Sequence, residues 1–123
     1  MKDIIRNDFV HAELSYKIIG CAMSVYNSIG PGLLEKVYQN ALATSFRNAD
    51  LSFSEQASCD IFYAGQKVGI RRADFLVENK VIVEIKRGND FIHADFNQLK
   101  EYLAAKNLEL GLLIRFSGER LHY

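Results

Sequence analysis

Apolar residues recur at steps of three and four along the first part of the chain: Val10, Leu14, Ile18, Cys21, Val25 and Ile29. That spacing makes one stripe of a helix, predicted from about Asp8 to Ser28. Gly30-Pro31-Gly32 ends it, because glycine permits a left-handed turn and proline suits the first position of a following helix. The second helix is predicted over about Leu33 to Asn48. Glu35, Tyr38, Leu42 and Phe46 share one of its faces, with Leu34, Val37 and Ala41 beside it. Glu35 thus points to a buried side or its margin, where an ionised carboxylate is costly unless paired or metal-bound. The alternative is a first-turn glutamate favoured by the helix dipole. Both readings stand at this point.

Beyond Ser52 the period changes. Residues from about Ser52 to Tyr63 alternate loosely and predict a strand, and Ala64-Gly65-Gln66 turns into a second strand, Lys67 to Val77. The third runs from Val81 to Arg87. With Glu78-Asn79-Lys80 as the turn, Val77 pairs with Val81, and Asp74 then lies opposite Glu84. Alternation puts Ala73, Phe75, Val77, Val81, Val83 and Ile85 on one apolar face. Arg72, Asp74, Leu76, Ile82, Glu84 and Lys86 fall on the other. Facing carboxylates repel. Either a cation sits between them, or Arg72 and Lys86 neutralise a solvated face.

Gly88-Asn89-Asp90 is a break and a helix N-cap signal. The third helix is predicted from about Phe91 to Lys106, turning Phe96, Leu99 and Leu103 inward. A fourth strand, Glu109 to Phe116, is nearly all apolar, as a strand buried on both faces would be. Strand, helix and strand in this order predict a crossover to a parallel neighbour. Arg120 to Tyr123 is expected to add a short edge strand. The order is α-α-β-β-β-α-β, an α/β chain of the α+β kind with helices flanking one mixed sheet.

Composition narrows the function only slightly. At 123 residues the chain is expected to be a single domain, residues 1–123, with a genuine core. Fifteen basic residues balance fifteen acidic ones, so nucleic-acid binding must come from a local patch rather than a global field. Cys21 and Cys59 belong to no metal-spaced cluster and read as buried free thiols of a reducing cytoplasm. Met1 to Ile5 lacks a signal-peptide apolar region, and no apolar run is long enough to span a bilayer. A cytoplasmic protein with no membrane partner is expected.

Glu35 on a helix, Asp74 on a strand, Glu84-Ile85-Lys86 on the next strand and then a helix resemble the PD-(D/E)XK nuclease superfamily and its restriction-endonuclease-like core. Gly32-Leu33-Leu34-Glu35-Lys36-Val37-Tyr38 reads G-x-x-E-x-x-Y and is similar to the signature of the GxxExxY protein family within it. Gln98-Leu99-Lys100-Glu101-Tyr102 is similar to the Q-x-x-x-Y motif of exonuclease-type members. Ala73 stands where the superfamily name implies a proline.

The resemblance implies a Mg2+ (or Mn2+) ion held by Asp74, Glu84, the backbone carbonyl of Ile85 and Glu35. Magnesium takes oxygen ligands and keeps several waters, so one or two carboxylates suffice. Lys86 would assist the attacking water, with Glu35, Gln98 and Tyr102 completing the catalytic set. Gln98 and Tyr102 equally fit a polar-edged core helix. Arg72, Arg87 and Lys100, with Arg71 and His93 nearby, would form a rim for substrate phosphates. The expected partner is nucleic acid, DNA or RNA, and a homodimer is compatible with the apolar stripe of the first helix. Two functions stand: a metal-dependent nuclease, and a non-catalytic module of the same fold binding nucleic acid or a partner protein.

Overall fold

The computed structural model describes residues 10–123, and the expected helix start at Asp8 and the reading of Met1 to Ile5 lie outside them. The elements are α1 (Ala12–Ile29), α2 (Glu35–Asn48), β1 (Phe53–Tyr63), β2 (Gln66–Val77), β3 (Val81–Lys86), α3 (His93–Lys106) and β4 (Leu110–Arg115). They come in the expected order. One four-stranded sheet has the order β1-β2-β3-β4. Its first two pairings are antiparallel, and β3 runs parallel to β4 across α3.

Two apolar clusters hold helices to opposite faces of the sheet. In the larger, Ile18, Cys21 and Val25 of α1 and Tyr38, Leu42 and Phe46 of α2 meet Phe75, Val77, Val81, Val83 and Ile85. Phe46, Phe53 and Phe75 interlock edge to face with centroids 5.1 to 5.7 Å apart, the arrangement aromatic quadrupoles favour. In the smaller, Leu99 and Tyr102 of α3 pack on Ala73, Ile82 and Leu113. There β4 approaches closely: a Cβ on Gly111 would stand 2.5 Å from Leu99 Cδ1.

Four expectations are corrected. Ala73 packs on the α3 side, away from Phe75. Alternation fails at Asp74 between them, where the facing Gln56 takes a left-handed φ of 52° and the β2–β3 ladder ends at Phe75 and Val83. Pro31 does not open α2, which begins at Glu35, leaving Leu33 and Leu34 exposed. In α3, Tyr102 is buried and Phe96 is exposed, because Tyr102 packs with Leu99 on the sheet and bonds the Ala57 carbonyl while Phe96 lies edge to face against Phe91. Finally, β4 is an edge strand, and the tail adds a single bridge, Arg115 to His122. Both cysteines are free, Cys21 buried and Cys59 half-buried. Among the described residues, no helix is long and apolar enough to cross a membrane.

Candidate nuclease site

The turn between β2 and β3 has the expected register, with Val77 opposite Val81 and the Lys80 N–H bonded to the Val77 carbonyl at 2.9 Å. Three residues further along, the strands part. Asp74 does not simply face Glu84: its Oδ2 accepts the Ile85 backbone N–H at 2.7 Å. The side chain thereby satisfies a backbone donor where the ladder has ended. Gln39, buried on α2, fixes the same point from the other side. Its Nε2 donates to the Asp74 carbonyl at 3.2 Å and to Glu55 Oε1 at 3.0 Å.

Lys86 Nζ lies 3.4 Å from Glu84 Oε1 and 4.0 Å from Asp95 Oδ1, with side chains 21%, 13% and 17% exposed. Asp95 is itself held, since its Oδ2 accepts the Ile92 N–H at 3.0 Å in the first turn of α3. Glu35 opens α2 with its position set by Tyr38. The Tyr38 hydroxyl donates to the Gly30 carbonyl at 2.6 Å and accepts the Leu33 N–H at 3.2 Å. Its ring stacks on Phe116 with centroids 4.4 Å apart. The turn after Lys86 is also tied down, because Ser117 Oγ donates to the Gly88 carbonyl at 2.7 Å.

Two concavities meet over these residues. One, of about 260 Å³, lies between the α2 entry and the end of β3 and includes Arg87, Gly88 and Ser117. The other, of about 310 Å³, is lined by Arg71, Arg72, Asp74, Glu84 and Gln98 among others. Glu35, Ile85 and Lys86 line both. The structure therefore brings Glu35, Asp74, Glu84, Lys86 and Gln98 to one groove, with Arg72 and Arg87 at its rim. Lys100 and His93 are exposed, and Lys100 lines neither concavity. Tyr102 is buried, and its hydroxyl donates to the Ala57 carbonyl at 2.7 Å, which secures α3 to β1.

Burial raises the pKa of all three carboxylates. For Asp74 it is opposed by the Ile85 N–H, the Lys86 charge and a hydrogen bond from Gln56. For Glu84 it outweighs Lys86, with the Asp74 charge adding to the rise. For Glu35 it acts with the Asp74 charge against Arg87 and Lys86. Desolvated carboxylates that also repel one another favour any cation able to join them.

The donor set suits a hard, hydrated ion. Asp74 and Glu84 supply carboxylate oxygens of the kind magnesium or manganese takes, and one or two suffice. Among the described residues, no group of three or more His, Cys, Asp or Glu side chains stands together as a metal cage. An ion here would keep water over much of its shell.

Asp95 and Gln39 are site residues that the sequence reading missed. Asp95 was masked by the stronger N-cap signal at Asn89-Asp90. Gln39 could have been found one helical turn after Glu35, on the same face.

A family model described as the PD-(D/E)XK nuclease superfamily matches residues 12–122. No curated protein and no solved structure matches the chain. With the parted hairpin, its acidic pair and the neighbouring lysine, that match over nearly the whole length identifies the chain as a member of the PD-(D/E)XK nuclease superfamily.

Proposed function

We propose that the protein is a divalent-metal-dependent nuclease that hydrolyses phosphodiester bonds in DNA or RNA. The observation that carries this reading is Lys86 at 3.4 Å from Glu84 in the same groove as Asp74. Asp74 and Glu84 would hold Mg2+ or Mn2+, with the Ile85 carbonyl and Glu35 as further oxygen donors. The bound cation would polarise the phosphoryl oxygen and lower the pKa of an attacking water. Lys86 orients that water and stabilises charge developing on the phosphate, while Asp95 and Glu84 keep its ammonium over the groove. Arg72 and Arg87 meet flanking phosphates, and Gln98 offers its amide to the substrate. Gly32, Glu35 and Tyr38 support placement in the GxxExxY family, with action in the cytoplasm.

A second reading has its own support. Asp74 already accepts a backbone hydrogen bond, which gives its carboxylate a structural role. That suits a module that keeps the fold to bind nucleic acid or a protein. Incubation with magnesium or manganese and single-stranded DNA, duplex DNA and RNA separates the two. Hydrolysis at least a hundredfold faster for wild type than for Asp74→Ala supports the nuclease. Equal behaviour on every substrate rejects it.

A further inference from the structure

Three carboxylates of the groove share one cation. The Lys86 charge opposes the burial-driven pKa rise of Glu35, Asp74 and Glu84 alike, whereas the Arg87 charge acts on Glu35. Arg72 lines the concavity of Asp74 and Glu84 but makes no ion pair among the described residues. Arg115, opposite Lys86 in the parallel pairing of β3 and β4, donates instead to the Gly88 carbonyl and Ser117 Oγ. The charge that compensates the acidic groove is thus an ammonium.

That ammonium has two acceptors. Its Nζ lies 3.4 Å from Glu84 Oε1 and 4.0 Å from Asp95 Oδ1. Asp95 stands in the first turn of α3. It lines neither concavity over the site, whereas Lys86 lines both. The Ile92 N–H holds Asp95 Oδ2 at 3.0 Å, which anchors the side chain with Oδ1 towards Lys86. Closing from 4.0 Å to the ~2.8 Å of a charge-assisted hydrogen bond takes a movement of about 1 Å. A flexible four-carbon stem allows it.

Glu84 cannot serve two cations equally. Lys86 would be repelled by an ion held at Asp74 and Glu84, and would lose its nearer acceptor to that ion. An ammonium only 21% exposed is costly to leave without a partner. We propose that Lys86 is the resident cation of the groove, and that Asp95 is the positioning residue that receives its ammonium when Glu84 is engaged by a metal ion. The inference rests on the metal-dependent reading and deepens it with a residue outside the ligand set. The transfer keeps Lys86 beside the groove, free to orient water rather than bound to a metal ligand. Metal affinity is then set partly by how well Asp95 holds the lysine.

The test counts free manganese by electron paramagnetic resonance and reads no cleavage. Wild type, Asp95→Asn, Lys86→Met and the double variant form a cycle. Asparagine keeps an oxygen for the Ile92 N–H and removes the charge that would receive Lys86. Lys86→Met, with no resident cation, is expected to bind manganese at least about fivefold more tightly than wild type. Asp95→Asn is expected to weaken binding at least about fivefold when Lys86 is present, and about twofold or less beside Lys86→Met. An equal loss in both backgrounds would mean that Asp95 acts through its field or the α3 terminus, and overturns the proposal. So does an affinity that Lys86→Met leaves unchanged or lowers. Lys86→Gln repeats the cycle if the methionine variant does not fold. Glu84→Gln separates the two levels of failure. Manganese binding that it leaves intact lies elsewhere and overturns both the metal site and the transfer. Binding that it abolishes, with no coupling between Lys86 and Asp95, overturns the transfer alone. Coupling in a protein that never cuts upholds the transfer and defeats only the hydrolytic reading.

Discussion

Asp74 and Ile85 are joined across two parting strands: the Ile85 backbone N–H donates to Asp74 Oδ2 at 2.7 Å. One carboxylate oxygen thus takes the place of a ladder acceptor where the two strands separate. Asp74→Ala would leave a partly buried N–H without an acceptor, a loss of about 1–3 kcal/mol. Asp74→Asn keeps an acceptor oxygen and is expected to hold stability within about 1 kcal/mol of wild type while losing metal affinity. Urea unfolding of the two variants, beside metal titration, measures both. Equal destabilisation by alanine and asparagine would show that the carboxylate charge itself is structural.

Glu84→Gln is expected to raise the Tm in metal-free buffer. The substitution removes a desolvated charge that the Asp74 carboxylate opposes, and the amide oxygen still faces Lys86. A lower Tm would mean that the Lys86 pair at 3.4 Å outweighs both penalties.

Stability should also depend on pH, with a definite sign. Burial raises the folded-state pKa of Asp74 and Glu84 above the ordinary values of 3.8 and 4.5. Folded protein therefore binds more protons than unfolded chain between the ordinary and raised values. The contribution of these groups is fully present below the ordinary carboxylate range and is lost as pH rises through the raised values. Added manganese should restore stability on the high-pH side, because ion binding to the folded state alone stabilises it. Thermal scans across that interval, with EDTA or manganese, read the effect as the difference between wild type and Asp74→Asn/Glu84→Gln. An unchanged difference across pH and metal would contradict it.

Phe75→Ala is expected to cost roughly 3–5 kcal/mol, since Phe75 is fully buried between Phe46 and Phe53. A near-neutral denaturation result would place that face outside the core.

Gly111→Ala tests the contact between α3 and β4. The added methyl would meet Leu99 at 2.5 Å, and overpacking of this kind costs about 1–3 kcal/mol. Full stability would show that Leu99 yields freely, and Gly111/Leu99 double variants would then be additive.

Much of this was legible because the signals were local. The spacing of Ile18, Cys21 and Val25 specified the buried stripe of α1, and the Glu78-Asn79-Lys80 turn specified the register that brings Asp74, Glu84 and Lys86 together. The turning of Asp74 to Ile85 was not legible, because it depends on where β3 leaves β2 and on the left-handed Gln56 in β1. Asp90 imitated an N-cap that the chain places at Ile92, with Asp95 supplying the carboxylate from inside the helix. That displacement hid Asp95, while the burial of Tyr102 in place of Phe96 depends on the distant Ala57 carbonyl that its hydroxyl reaches. Gln39 was legible as a residue one helical turn after Glu35, but its partners, Glu55 and the Asp74 carbonyl, were not, being distant in sequence.

The most direct test of the central claim is an anomalous difference map from a crystal soaked in manganese. The account predicts a peak bridging the carboxylates of Asp74 and Glu84, within reach of the Ile85 carbonyl and absent after Glu84→Gln. A map with no peak between those two residues, from a crystal whose groove is open to solvent, would contradict it.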